Sequence, residues 1–239
     1  MNILTIDTAT EMEIIAVSTI HSISEITNLV GISHSITLFD NIKSALYKLD
    51  ITINDIDLIG VGIGPGSFTG IRIAVSAARM LAQILNIPLV GIKTHYLYAA
   101  SVRAAINENI LITFDAKKDR VFGALYRKTE YPLLPQEIIA PGDYLIDYLL
   151  ENINNDYKTL LIGNGSDKYY PTIKNKISDF CMMSKLKPSA TSICELTEYI
   201  YMNNPNHYTD INNTIPFYMR KSDAEIAMDI RRKDGKTDI

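Results

Sequence analysis

The chain has 239 residues, 47% hydrophobic and 21% charged, enough to bury a sizeable core in one large or two medium domains. A net charge of −4 and a pI near 5.6 exclude a freestanding, phosphate-hugging nucleic-acid binder, which needs an excess of clustered cations. Cys181 and Cys194 make neither a disulfide framework nor a metal cluster, Met1 opens no basic, apolar leader, and no uninterrupted apolar run approaches a membrane span, so the expectation is a cytoplasmic, non-membrane protein.

Ile3-Leu4-Thr5-Ile6 reads as a buried strand closing on the turn Asp7-Thr8-Ala9-Thr10. Ile14–Ser18 and the mixed stretch Ile23–Val30 follow as strands in hairpin order. Asp7 at a strand end suits phosphate or metal, or an Asx turn satisfying its own backbone; the residues alone leave both open. Ser33 or Ser35, flanking His34, can cap a helix running to Leu49. On it Leu38, Phe39, Ile42, Ala45, Leu46 and Leu49 fall on one arc of roughly 120°.

The stretch Leu58 to Leu85 organises the rest. An apolar strand to Ile63 meets Gly62, Gly64, Pro65, Gly66 and Gly70, which force a sharp turn with little side-chain bulk. Ser67 or Thr69 can cap the following helix, leaving N–H groups and a dipole that suit an anion. The spacing is neither that of a Walker loop nor that of a dinucleotide fingerprint. On the helix Thr69–Leu85 the polar residues Arg72, Ser76, Arg79 and Gln83 share a strip roughly 60° wide. The remaining arc is apolar and rich in alanine, more than one core face requires. That helix is either buried on several sides or binds a partner. Pro88 ends this unit, Leu89–Ile92 is a strand, and Thr94 caps a helix to about Ala105.

After Asn109 the pattern restarts. Leu111-Ile112-Thr113-Phe114-Asp115 repeats Ile3-Leu4-Thr5-Ile6-Asp7, and Phe122–Leu125 lies over Ile14–Val17 at the same offset. Two matches in register point to an internal duplication, with subdomains at 1–105 and 106–215 and a C-terminal segment and tail at 216–239. A helix is expected from Pro141 to Leu150, a strand at Thr159–Ile162, a second glycine turn at Gly163-Asn164-Gly165-Ser166, and a helix from Ser189 through Tyr201. The charge-rich tail beyond Ser222 reads as a loose helix or as disordered.

Hairpins first, two Asp turns and two glycine turns resemble the duplicated ribonuclease-H-like α/β fold of actin, Hsp70 and sugar kinases, whose cleft closes around ATP. More narrowly, Asp7-Thr8-Ala9-Thr10-Glu11, His34-Ser35, the block from Gly62 to Arg72, Ile87–Gly91, Asp115–Tyr126, Gly163-x-Gly165 and Tyr218-x-Arg220 are similar to the TsaB (YeaZ) family. Members of that family are dimerisation subunits of bacterial tRNA threonylcarbamoyladenosine synthesis. The resemblance implies a non-catalytic subunit without a cofactor, paired with a TsaD-type transferase and joined by a TsaE-type ATPase. It would meet tRNA only through the complex, where Arg72, Arg79, Lys117, Lys118 and Arg120 can add phosphate contacts, and can homodimerise when alone.

Where the transferase carries a His-x-x-x-His metal helix, this chain reads His95 to Ala99, so His95 is expected to be a helix-start surface residue. Where the ATPases place glycine in the first Asp turn, this chain has Ala9. Asp7, Thr8, Gly64, Gly66, Ser67, Asp115, Gly163 and Gly165 are therefore expected to be the remnant of a nucleotide site. The expected partner face is Leu38, Ile42 and Ala45 on the first helix, with Ile73, Ala77, Met80 and Ile84 on the second; Ile71, Ala74, Ala78, Leu81 and Leu85 go to the core. An ATP-dependent kinase or phosphotransferase of the same fold is the alternative. A protease reading lacks any Ser/His/Asp or two-His arrangement.

Overall fold

The computed structural model describes residues 1–29 and 34–220. β1 (Ile3–Asp7), β2 (Met12–Ser18) and β3 (Ile23–Leu29) form an antiparallel meander. α1 (His34–Tyr47), β4 (Leu58–Gly62), α2 (Phe68–Leu85), β5 (Leu89–Ile92) and α3 (Thr94–Ser101) complete the first half. The second half contains β6 (Asn109–Asp115), β7 (Val121–Arg127), β8 (Gln136–Tyr144), α4 (Ile146–Glu151), β9 (Thr159–Ile162), α5 (Asn164–Lys168), α6 (Tyr170–Lys176) and β10 (Phe180–Met183). α7 (Ala190–Asn203) and α8 (Pro205–Tyr208) follow.

The duplication is written in the sheets. The first runs β3-β2-β1-β4-β5 and the second β8-β7-β6-β9-β10. In both, three antiparallel strands are extended by two that run parallel to the first. Alternation along each strand then feeds two cores. Leu4, Ile6, Ile15 and Val17 face α1 and α2, while Ile3, Ile14 and Ala16 face a middle core. α3 and α7 fill that middle layer between the sheets, and α4 and α6 cover the outer side of the second.

Several expectations shift. α7 lies in the 106–215 stretch yet packs on β1 and β2, where Thr197 Oγ1 meets Thr5 Oγ1 at 3.0 Å. Pro141 sits inside β8, not at a helix start: β8 is an edge strand with an irregular register, where a missing N–H is tolerated. The helix begins only at Ile146. α3 stops at Ser101, and Thr94 does not cap it, because its hydroxyl is engaged by the first Asp turn. β10 was not expected: its four residues are all half-buried, without the alternation or full burial that marks a strand. The capping expected of Ser33 or Ser35, Val30 and the tail after Arg220 lie outside the described residues.

Candidate functional site

The first Asp turn is closed on itself. Asp7 Oδ1 accepts the Ala9 N–H at 2.6 Å and Oδ2 accepts from Thr94 Oγ1 at 2.7 Å. Burial pushes its pKa up to about 6, against the lowering effect of those two bonds. Thr8 Oγ1 donates to Gly70 O at 2.6 Å. The glycine loop lies directly on this turn: Ser67 N–H donates to Ala9 O at 2.7 Å, and a Cβ on Gly66 or Gly70 would overlap the carbonyl oxygen of Ala9 or Thr8. Those glycines serve loop-on-loop packing. Ser67, not Thr69, caps α2, its Oγ accepting from Gly70 N–H at 3.2 Å.

A cleft of about 790 Å³ lies between the halves. Gly66, Ser67, Asp115 and Gly163 line it, whereas Asp7, Thr8, Gly64 and Gly165 do not. Asp115, the counterpart of Asp7, has the opposite surroundings. It accepts from Lys168 Nζ at 2.9 Å and from the Lys117 N–H at 3.0 Å, with Lys117 Nζ at 3.3 Å. Partial burial raises its pKa, but the lysine bonds prevail and hold it below the usual carboxylate range. Phe68, Phe114, Phe122 and Phe217 make much of the remaining wall aromatic.

The C-terminal segment straps the two halves together over this cleft. Phe217 N–H donates to Ile63 O at 2.8 Å, and Tyr218 stacks on Phe68 at 4.7 Å while accepting from Arg72 Nε at 2.9 Å. Arg220 then grips Asp143 and donates to Ala116 O at 2.8 Å, with Arg120 Nε on the same carboxylate at 2.6 Å. This accounts for the Tyr218-x-Arg220 pattern. The cations expected to add phosphate contacts differ in what already holds them. Arg72, Arg79 (2.9 Å to Asn212 Oδ1) and Arg120 are held within the chain, while Lys117 and Lys118 stay exposed on the rim.

His95 is not a surface residue. It is buried, edge-on to Phe114 at 4.9 Å, with Nε2 2.9 Å from Phe122 O. Burial drives its pKa down to about 4, so the neutral ring donates through Nε2–H. Ala99, one turn on, is packed in the same middle core. The sequence hid this because α3 is apolar on all sides, which leaves a single histidine no polar face to occupy.

The outer helices divide differently from expectation on α1. Leu38, Ile42 and Ala45 are buried against the sheet and cannot meet a partner. The outward face is instead Ile36 (76% exposed), Phe39 (48%) and Tyr47 (84%), at i, i+3 and i+11. Glu13 on β2 fixes α1 beneath that face, accepting from Thr37 Oγ1 at 3.0 Å and Asn41 Nδ2 at 2.5 Å. On α2 the stripe is outward at Met80 (45%) and Ile84 (72%) and half-buried at Ile73, but Ala77 (7%) belongs to the core. Ile71, Ala74 and Ala78 are buried as expected; Leu81 and Leu85 are partly so. By length and composition α2 would reach across a membrane, with mean hydropathy 1.3, yet its inner face packs on β4 and β1.

Residues 13–228 match the family model described as TsaD, tRNA N6-adenosine threonylcarbamoyltransferase, and the chain belongs to that family. It is similar to the tRNA threonylcarbamoyladenosine biosynthesis protein TsaB of Bacillus subtilis, 27% identical over 193 residues, 81% of this chain and 82% of that one. The protein of the same name from Escherichia coli is 30% identical over 131 residues, 54% of this chain and 57% of that one. Within the family, then, the chain is of the TsaB (YeaZ) type. The solved structure of YeaZ from Pseudomonas aeruginosa shares the duplicated fold, with a TM-score of 0.73 at 20% identity over 91% of this chain and 99% of that one.

Proposed function

We propose that this chain is a non-catalytic pairing subunit in tRNA threonylcarbamoyladenosine biosynthesis, docking on a TsaD-type transferase through α1 and α2. The observation that carries this reading is the pair of apolar stripes, Ile36, Phe39 and Tyr47 beside Ile73, Met80 and Ile84, on adjacent outer helices whose other faces are already buried. A matching helix pair would complete a four-helix interface. The names of the relatives support the pathway, and the inward-turned Asp7 supports a scaffold over the kinase alternative. A TsaE-type ATPase and tRNA then join through the transferase, and the same stripes serve a second copy of the chain when the transferase is absent.

The test is Ile84→Glu in a pull-down with a TsaD-type subunit. A lone carboxylate buried in an apolar interface costs several kcal/mol, roughly 3–5, so pairing is lost. Circular dichroism and melting temperature stay unchanged, because the free side chain reaches water. Retained pairing at wild-type affinity refutes α2 as the docking helix.

A further inference from the structure

At the junction of the halves, where β6 begins and β7 ends, a second cavity of about 420 Å³ has no part in the reading above. Two consecutive cations line it. Lys128 is buried, and its Nζ donates to Val102 O at 3.1 Å and Pro132 O at 2.6 Å, using two of three ammonium donors on neutral carbonyls. Arg127 Nε is buried with no hydrogen-bond partner among the described residues. The Arg127 guanidinium makes no ion pair or side-chain hydrogen bond among the described residues, so its accessible edge keeps both charge and donors for an oxyanion.

The walls around these cations are fixed. Thr129 Oγ1 donates to Leu134 O at 2.7 Å and accepts the Tyr131 N–H at 3.2 Å, which pins the loop carrying Tyr131. Asn107 N–H donates to Lys128 O at 2.9 Å and Lys128 N–H to Glu108 O at 2.9 Å, which pins the opposite wall. Tyr131 and Ile106 expose flat or apolar surface to the cavity, and Glu130 sits exposed on its rim. A guanidinium fork beside an exposed aromatic ring is complementary to a phosphate carried next to a base.

From this arrangement we infer that the Arg127–Lys128 cavity is a nucleotide-phosphate site, the phosphate on Arg127 and the base against Tyr131. The site is independent of partner docking on α1 and α2. Its ligand is a free mononucleotide or one nucleotide of an RNA strand.

The test is an amide chemical-shift titration of the full-length labelled chain with AMP, with inorganic phosphate and with a short single-stranded RNA. AMP is expected to move signals at 106–108 and 127–136 with a Kd of about 1 mM or below. Arg127→Gln weakens AMP at least about tenfold, and Glu130→Gln tightens it about two- to fivefold by removing a like charge. Tyr131→Ala weakens AMP several-fold while leaving inorganic phosphate unchanged. RNA that displaces AMP assigns the ligand to a strand; RNA that does not assigns it to the free nucleotide. No movement of these signals at about 10 mM AMP overturns the site, as does movement confined to the cleft at 115–118. Should Arg127→Gln fail to fold, the two exposed positions decide: AMP binding unchanged in both Glu130→Gln and Tyr131→Ala also overturns it.

Discussion

Asp7→Asn separates a working aspartate from one sealed into the fold. In the folded chain burial holds this carboxyl near pH 6, against 3.8 for a free one. The folded state therefore binds this proton more tightly than the unfolded chain does. Folding bears no penalty from Asp7 below about pH 4; the penalty grows as pH rises and is complete above the folded value. That difference is worth about 3 kcal/mol, undiminished by solvent because the group is fully buried. Asparagine does not titrate, so the stability of the variant minus that of the wild type should climb by about 3 kcal/mol between pH 4 and pH 7.5. Loss of the Thr94 O–H donation to Oδ2 shifts the whole curve by a constant and leaves its slope intact. For a chain of this size the climb is about 6–12 °C in the difference of melting temperatures, measured on both proteins across pH 4–8. A flat difference curve refutes the buried assignment. So would Mg²⁺ stabilising the wild type and not the variant, since that requires Asp7 to reach the cleft.

Ala77→Arg should unfold or strongly destabilise the monomer, by about 2–4 kcal/mol in chemical denaturation, because position 77 is core and not partner face. Gly66→Ala should cost about 2–4 kcal/mol in the same assay, since its Cβ meets the Ala9 carbonyl and backbone cannot step aside as a side chain can. Asp143→Ala leaves Arg120 and Arg220 without their carboxylate and should speed tryptic cleavage after Arg220, with the core fragments unaffected. In the wild type, burial raises the Asp143 pKa but Arg220 and Arg120 carry it below the usual range. Its contribution is therefore present at neutral pH and lost as pH falls through the acid range, so the same cleavage should accelerate on acidification of the wild type when read with an acid-tolerant protease.

The sequence was most legible where one period dominated. The repeat of Leu111–Asp115 on Ile3–Asp7 becomes two sheets of one topology, and the polar strip on α2 becomes the edge that Tyr218 and Asn212 cover. It was least legible where one helix has two apolar faces. α1 carries Leu38, Ile42 and Ala45 on one arc and Ile36, Phe39 and Tyr47 on another; an apolar arc alone does not reveal which one meets the sheet. The deciding signal was Thr37 and Asn41, which had to lie toward the buried Glu13 of β2. Asp7 and Asp115 show the same limit from another side. Identical positions in a repeat predict the same backbone, but whether the carboxylate meets Thr94 or, beside the local Lys117, Lys168 depends on elements far along the chain.

That difference between matched positions extends to the coverings of the two sheets, and it bears on why the proposed docking falls on one half. The first sheet is backed by α1 and the 18-residue α2, long enough to present a full outer stripe after the inner one is buried. At the matching place in the second half, the helix after β9 is α5, with five residues, followed by α6 with seven. Helices of two turns or fewer can bury one apolar face but cannot carry a second continuous stripe. Apart from the exposed Tyr170, their outer surface is polar, with Lys176 bridging Asp147 at 2.8 Å across α6 and α4. The duplicated core gives both halves the same foundation. Helix length over that core then leaves, among the described residues, α1 and α2 as the helices on which the proposed four-helix contact can form.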